Sequence, residues 1–241
     1  MPSTPSVSRV KRVNRSETHA RAVRQMSDYV TTWIEDPVQF VIDQFDVHPS
    51  EQQCQLLRAV AVEDAHVAVK SGHGTGKTSC LAWIMLWAVV CFPDVKVPCT
   101  APTGHQLKDV LWSEVSKWRD KMLPLWRKDV TETTNEVHID GTQNFSVART
   151  GRKDRPEALQ GMHATNLFFL IDEASGIDDA VFEVARGALS TRGARVVMAA
   201  NPTRASGYFY NAFNKNRDYW TTLTFSCEDS PHVSPKYVEE M

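Results

Sequence analysis

Between His66 and Cys80 the chain reads HVAVKSGHGTGKTSC. A short apolar run of strand type breaks into a turn carrying Gly72, Gly74 and Gly76, and the chain resumes after Lys77 as TSCLAWIMLWAVVCF, a helical stretch apolar on nearly every side. A strand buried on both faces, leading through a tight turn into a helix with almost no polar face, has few stable homes. The helix must lie between a sheet and other helices, and the sheet must be covered on both sides. The rest of the chain repeats the theme. VKVPCTA reads as a strand and GHQLKDVLWSEVSKWRDKML as a helix. EVHIDGTQNFSVAR reads as strand on both sides of the turn signal Asp140-Gly141. NLFFLIDEA, ARVVMAANP and YWTTLTFS are further strands, separated by the helical segments DDAVFEVARGAL and GYFYNAFN, and Ser234-Pro235 starts a last helix. Alternation of this kind predicts an α/β protein with a mostly parallel central sheet flanked by helices.

Ahead of this unit the text differs. Residues 1–28 carry Arg9, Lys11, Arg12, Arg15, Arg21 and Arg24 among Ser, Thr and Pro without apolar periodicity, and read as a basic, disordered arm. Residues 29–48, with YVTTWIEDPVQFVIDQF, read as a helical lead-in broken near Pro37, and 49–241 as the α/β domain, opened by a helix capped at Ser50. With 241 residues and 42% hydrophobic content, the chain can bury a substantial core. A formal charge of -2 gives no global basicity that would announce a nucleic-acid partner. The five cysteines are scattered without a CxxC pair, which suits reduced, buried thiols and a cytosolic setting and points away from a structural metal. CLAWIMLWAVVCF is too short for a bilayer span and belongs to the core.

The turn after the first strand has the chemistry of a phosphate cradle. Backbone N–H groups of a glycine-rich turn and of a helix N-terminus surround phosphate oxygens, a lysine reaches the β- and γ-phosphates, and a hydroxyl ligates Mg²⁺. Here the cradle is Ser71, Gly72, His73, Gly74, Thr75, Gly76, Lys77 and Thr78, with Ser71 where the usual P-loop pattern begins with glycine. A second signal is the run LFFLI, which delivers Asp172 and Glu173 to the C-terminal end of a strand, where open parallel sheets bind ligands. The first carboxylate suits Mg²⁺, directly or through water, and the second suits polarisation of an attacking water. A third apolar strand, VVMAA, ends in Asn201-Pro202-Thr203, so Asn201 is a candidate sensor of the γ-phosphate or of the attacking water; Asn-Pro is equally a plain turn signal.

Together these residues resemble the ATPase domain of large terminases, the DNA-packaging motor subunits of tailed bacteriophages. The resemblance runs from about Pro49 to Val238 and rests on PSEQQCQLL, VKSGHGTGKT, VPCTAPTGHQL, ALQG, FFLIDEASGI, MAANPT and SCEDSPHV. It implies a P-loop NTPase fold of the ASCE/RecA-like type, ATP and Mg²⁺ as ligands, and ATP hydrolysis that drives double-stranded DNA into a procapsid. By position it implies Gln53 as the adenine contact, with Gln52 beside it as the alternative. It implies Lys77 and Thr78 on phosphates and metal, Asp172 on the metal, Glu173 on the hydrolytic water, and Asn201 as the coupling residue. Many members carry an arginine four places before the P-loop lysine; here that place is His73. An arginine finger would then come from elsewhere, and ARTGRKDRPEALQG offers Arg155, Arg152 and Arg149, which equally read as solvated loop charges. Implied partners are the portal protein, the small terminase subunit and further copies of the chain in a ring, in the host cytoplasm and without membrane contact. Only about fifteen residues follow Ser226, too few for the nuclease domain that accompanies the ATPase in full large terminases. Lys108, Lys117, Arg119 and Lys121 could meet DNA phosphates, although they also describe any exposed helical face. Two other functions share parts of the pattern: a superfamily 2 helicase fragment, and a nucleotide-dependent assembly module that turns over slowly.

Overall fold

A computed structural model describes residues 26–150, 162–188 and 192–240. Residues 26–35 form helix α1, so the last three positions of the expected arm are helical. Asp36 ends α1 and caps α2 (Pro37–Phe45), its carboxylate accepting from the N–H groups of Val38 and Gln39 while Pro37 takes the first turn. Helix α3 (Glu51–Ala61) starts in a capping box: Ser50 Oγ accepts from Gln53 N–H, and Gln53 Oε1 accepts from Ser50 N–H at 2.8 Å.

The sheet then builds up through β1 (His66–Ser71), α4 (Lys77–Cys91) and β2 (Val95–Thr100). Beyond β2 lie a π-helical segment (Gln106–Trp112), α5 (Ser113–Lys121), α6 (Pro124–Arg127), β3 (Val130–Glu132), β4 (Glu136–Ile139) and β5 (Phe145–Ala148). The chain continues through β6 (Asn166–Asp172), α7 (Asp179–Ala188), β7 (Arg195–Ala200), α8 (Tyr208–Ala212), β8 (Thr221–Phe225) and α9 (Pro235–Glu239). Eight strands pair in the order β3-β4-β5-β2-β6-β7-β1-β8. The six from β5 to β8 are parallel, and β4 and β3 add antiparallel at one edge. The mostly parallel sheet expected from the sequence is thus present, with the Asp140-Gly141 turn joining β4 to β5 and Gly141 at φ 74°.

Alternate residues of each central strand serve opposite faces. Phe168, Leu170, Val197, Val67 and Val69 point toward α4, while Phe169, Ile171, Val196, Met198 and Ala68 point toward Val181 and Phe182 of α7 and Phe209 of α8. Helix α4 is buried nearly all round because α2, α3 and α5 close over the side that the sheet does not cover. The helical lead-in is part of this core: Trp87 Nε1 donates to the Trp33 carbonyl at 2.6 Å, and Trp33 Nε1 donates to Asp43 at 2.8 Å. Each large side chain buried there contributes about 1.5–3 kcal/mol. All five cysteines are free and buried.

Two local features differ from expectation. The helix after β2 opens as a π-helix rather than running as a continuous α-helix. Leu107, Leu111 and Trp112 of this segment are buried, while Val110 is left exposed. Strand β3 is only three residues long and too short to leave a period in the sequence.

Candidate active site

Strand register brings the three polar strand ends together. Asp172 lies level with Ala199 of β7, and Lys70 of β1 lies level with Ala200, so the turn after β1, the Asp172-Glu173 pair and Asn201 share one edge of the sheet. This is the C-terminal edge of the parallel strands.

The turn itself is braced from within. Ser71, where glycine is usual, is buried; its hydroxyl donates to the Gly72 carbonyl at 2.7 Å and lies 2.8 Å from the Thr75 hydroxyl, which also reaches the Gly72 carbonyl. The Ser71 and Thr75 side chains therefore hold the loop's shape, and what they offer a ligand is backbone. Gly76 has φ 83° and sits so close to Gln53 Nε2 that a Cβ there would collide with it. Helix α4 begins at Lys77 with no side chain capping its first N–H groups, so its N-terminus is available to an anion. A cavity of about 270 Å³ opens over it, lined by the turn, Lys77, Thr78 and Ser79, and walled by Val110 and Glu114 from the π-helical segment and α5.

Lys77 Nζ meets Glu173 Oε1 at 2.8 Å. Glu173 adopts the left-handed backbone conformation (φ 49°), uncommon for a residue with a side chain, and this turn out of β6 directs its carboxylate to the lysine. Asp172 is 1% exposed. Burial pushes its carboxyl up to about 6; the Lys77 charge works against that rise, the neighbouring Glu173 charge adds to it, and a hydrogen bond from the Glu173 N–H opposes it. A buried carboxylate whose ionisation is disfavoured gains from a cation beside it. The donor set fits Mg²⁺: one hydroxyl (Thr78) and one carboxylate (Asp172) suit an ion that keeps most of its water and phosphate ligands. Among the described residues no group of three His, Cys, Asp or Glu side chains forms a dedicated metal cage.

Asn201 and His73 touch. The Asn201 amide nitrogen lies 3.0 Å from His73 Nε2 and 3.2 Å from Nδ1. The Asn201 carbonyl accepts from Ser175 Oγ at 2.8 Å, tying the loop after β7 to the loop after β6. Gln53 is engaged at both ends, its Oε1 in the α3 cap and its Nε2 3.5 Å from the Gly76 carbonyl. Gln52 donates to the Ser226 carbonyl at 3.2 Å, and its own amide oxygen is buried with no partner among the described residues. Arg152 and Arg155 lie outside the described residues. Of the helix cations, Lys117 pairs with Glu114, Arg119 donates to the Val130 carbonyl and to Asp120, and Lys121 packs over Trp118.

Sequence reasoning missed the second wall of the cavity. Glu114 accepts from Ser79 Oγ at 2.6 Å, from Trp118 Nε1 at 2.6 Å and from Lys117 at 3.0 Å. Burial opposes its ionisation, but these hydrogen bonds outweigh burial and hold its carboxyl below the usual range. The segment SCEDSPHV after β8, to which the sequence assigns no role, borders the turn: Cys227 packs against Gly72 and donates to the His73 carbonyl at 3.4 Å, and His232 and Val233 lie over the turn.

A parallel sheet with a glycine-rich turn and helix N-terminus after β1, facing acidic and amide residues after β6 and β7, is the P-loop fold. Within that class the likeness is to phage large terminases. The chain is 30% identical over 206 residues to the "Probable terminase, large subunit" of Enterobacteria phage P7, covering 80% of this chain and 42% of that protein. The large terminase of a thermophilic bacteriophage, solved in complex with ADP, matches with a TM-score of 0.63 at 16% identity, over 79% of this chain and 49% of that one. A mutant of the large-terminase ATPase domain of Thermus phage P74-26 matches with a TM-score of 0.60 at 17% identity, over 80% of this chain and 88% of that one. The fold is that of large-terminase ATPase domains. This chain spans less than half the length of the phage P7 protein. No protein-family model matches the chain.

Proposed function

We propose that the chain is the ATPase motor unit of viral DNA packaging, hydrolysing ATP with Mg²⁺ to move double-stranded DNA into a procapsid. The observation that carries this reading is the contact of Glu173 with Lys77 at the uncapped N-terminus of α4, with Asp172 and Asn201 on the same edge of the sheet. Similarity to the phage P7 protein supports the packaging role. The ADP complex of a terminase with the same fold supports a nucleotide in this cavity.

In this reading the turn from Gly72 to Gly76 and the first N–H groups of α4 bind the phosphates, and Lys77 exchanges Glu173 for the β- and γ-phosphate oxygens. Thr78 and Asp172 hold Mg²⁺, which when bound spreads the negative charge of the phosphates. Release from Lys77 leaves the Glu173 carboxylate as the general base for an in-line water. Asn201 registers loss of the γ-phosphate and passes it on through Ser175 and the loops after β6 and β7. The Gln52–Gln53 corner beside Gly76 is the adenine side. A finger from Arg155 or Arg152, portal and small-terminase contacts, and a ring of copies in the host cytoplasm complete the assembly.

Steady-state ATP hydrolysis by the chain, with and without double-stranded DNA, tests this. Turnover that requires Mg²⁺ and rises several-fold with DNA is expected. The stimulation should weaken as salt rises, because phosphate contacts release counterions. Absence of hydrolysis under all conditions would reject the proposal, and unwinding of a forked duplex by the chain would redirect it to a helicase.

A further inference from the structure

We propose that His73 is a positioning residue that sets the orientation of the Asn201 amide, leaving that amide's oxygen as the acceptor for a water in the site. The inference rests on the ATPase reading above and extends it to a residue that reading leaves without a role.

His73 sits at the crown of the phosphate turn between Gly72 and Gly74, and its carbonyl accepts from Cys227 Sγ. Its ring spans the gap to the loop after β7, a contact between residues 128 apart in sequence. Both ring nitrogens lie within hydrogen-bond distance of the Asn201 amide nitrogen. Near-equal distances to both nitrogens place the amide nitrogen over the face of the ring rather than on either in-plane lone pair, so its N–H meets the electron-rich face of the imidazole in either neutral tautomer.

The other half of the amide is in the opposite condition. Asn201 Oδ1 is shut off from solvent and has no hydrogen-bond partner among the described residues. Native structures leave few buried polar atoms unmatched, and such an atom at a candidate ligand site calls for a donor that arrives with the ligand. Phosphate oxygens only accept, whereas water donates. The backbone of Asn201 is held independently, its carbonyl accepting from Ser175 Oγ and from the Thr203 N–H at 2.9 Å. The loop is thus fixed without His73, and His73 decides only which end of the amide faces the acceptor on the turn and which faces inward. An arginine at this place, as the resemblance leads one to expect, could only donate, and would turn the amide round.

The test compares the whole chain with His73→Ala, His73→Gln, Asn201→Ala and the double variant His73→Ala/Asn201→Ala, measuring kcat and KM for ATP, ATP affinity by calorimetry, and thermal unfolding. In His73→Ala, kcat should fall about 10-fold or more while ATP affinity stays within about 3-fold, as expected when a group near the reacting atoms loses its alignment. Glutamine offers an acceptor at similar reach and should restore most of kcat. The double variant should be no slower than Asn201→Ala, since both changes act through one amide. Unchanged kcat in His73→Ala, multiplicative losses in the double variant, or a loss confined to ATP affinity would each overturn the inference. A parent chain that does not hydrolyse ATP would overturn the ATPase reading itself and this inference with it, an outcome distinct from an active parent with an equally active His73→Ala.

Discussion

Glu173→Gln is expected to lower ATP turnover by about 10³-fold, the range seen when a positioned general base is removed, while ATP binding is retained or tightened. The two effects have one origin. In the nucleotide-free chain Glu173 is the partner of Lys77 at 2.8 Å, so it competes with phosphate for the only cation of the turn from Ser71 to Thr78. Glutamine keeps the shape, removes the competing charge and cannot take a proton from water. A loss of turnover accompanied by ATP affinity equal to or a few-fold better than the parent, read by calorimetry and a phosphate-release assay, is the signature of this double role. Parallel loss of binding and turnover would show instead that the ion pair only holds the site together.

Lys77→Met should act on binding. Charge-assisted hydrogen bonds contribute about 1.5–3 kcal/mol, so removing the ammonium should weaken ATP affinity by about 10- to 100-fold, with turnover falling at least as far. Methionine keeps a similar aliphatic length without the charge, and folding should survive. Lys77→Arg is expected to recover little, because the planar guanidinium does not replace a compact ammonium at the base of a tight turn. The partner charge gives a further check. Without Lys77 the carboxylates of Asp172 and Glu173 face each other unopposed, and their repulsion should ease in Lys77→Met/Glu173→Gln. That double variant should be more stable to heat than Lys77→Met alone.

Much of this site was legible in the sequence because each element announces itself locally. An apolar run that stops at a polar residue marks the C-terminal end of a buried parallel strand. Three such stops, at the turn before Lys77, at Asp172-Glu173 and at Asn201, are by topology neighbours on one edge. The glycine turn was readable because phosphate cradles need glycine where backbone must approach backbone, as at Gly76. What could not be read is tertiary. Glu114 looks like any polar residue on an amphipathic helix until the fold sets it against Ser79, 35 residues earlier. Arg195 opens the strand in ARVVMAANP with nothing in the sequence to mark its place, yet it is buried, donating to the carbonyls of Ala61, Val62 and Gly193 and lying against the rings of Phe92 and Phe168. Gln53, which the resemblance makes the adenine contact, has a further part that no motif expresses: its amide closes the α3 cap and supports Gly76. The π-helical segment, which buries Leu107, Leu111 and Trp112, has a spacing that no α-helical or strand period expresses.

A structure of the chain with Mg²⁺ and a non-hydrolysable ATP analogue tests the central claim most directly. Lys77 should have left Glu173 for the β- and γ-phosphate oxygens, with the metal on Thr78 and near Asp172, a water between Glu173 and the γ-phosphate, and the Asn201 amide facing the same space. A nucleotide bound elsewhere, or a Lys77–Glu173 pair still closed at its present distance beneath the bound analogue, would contradict it.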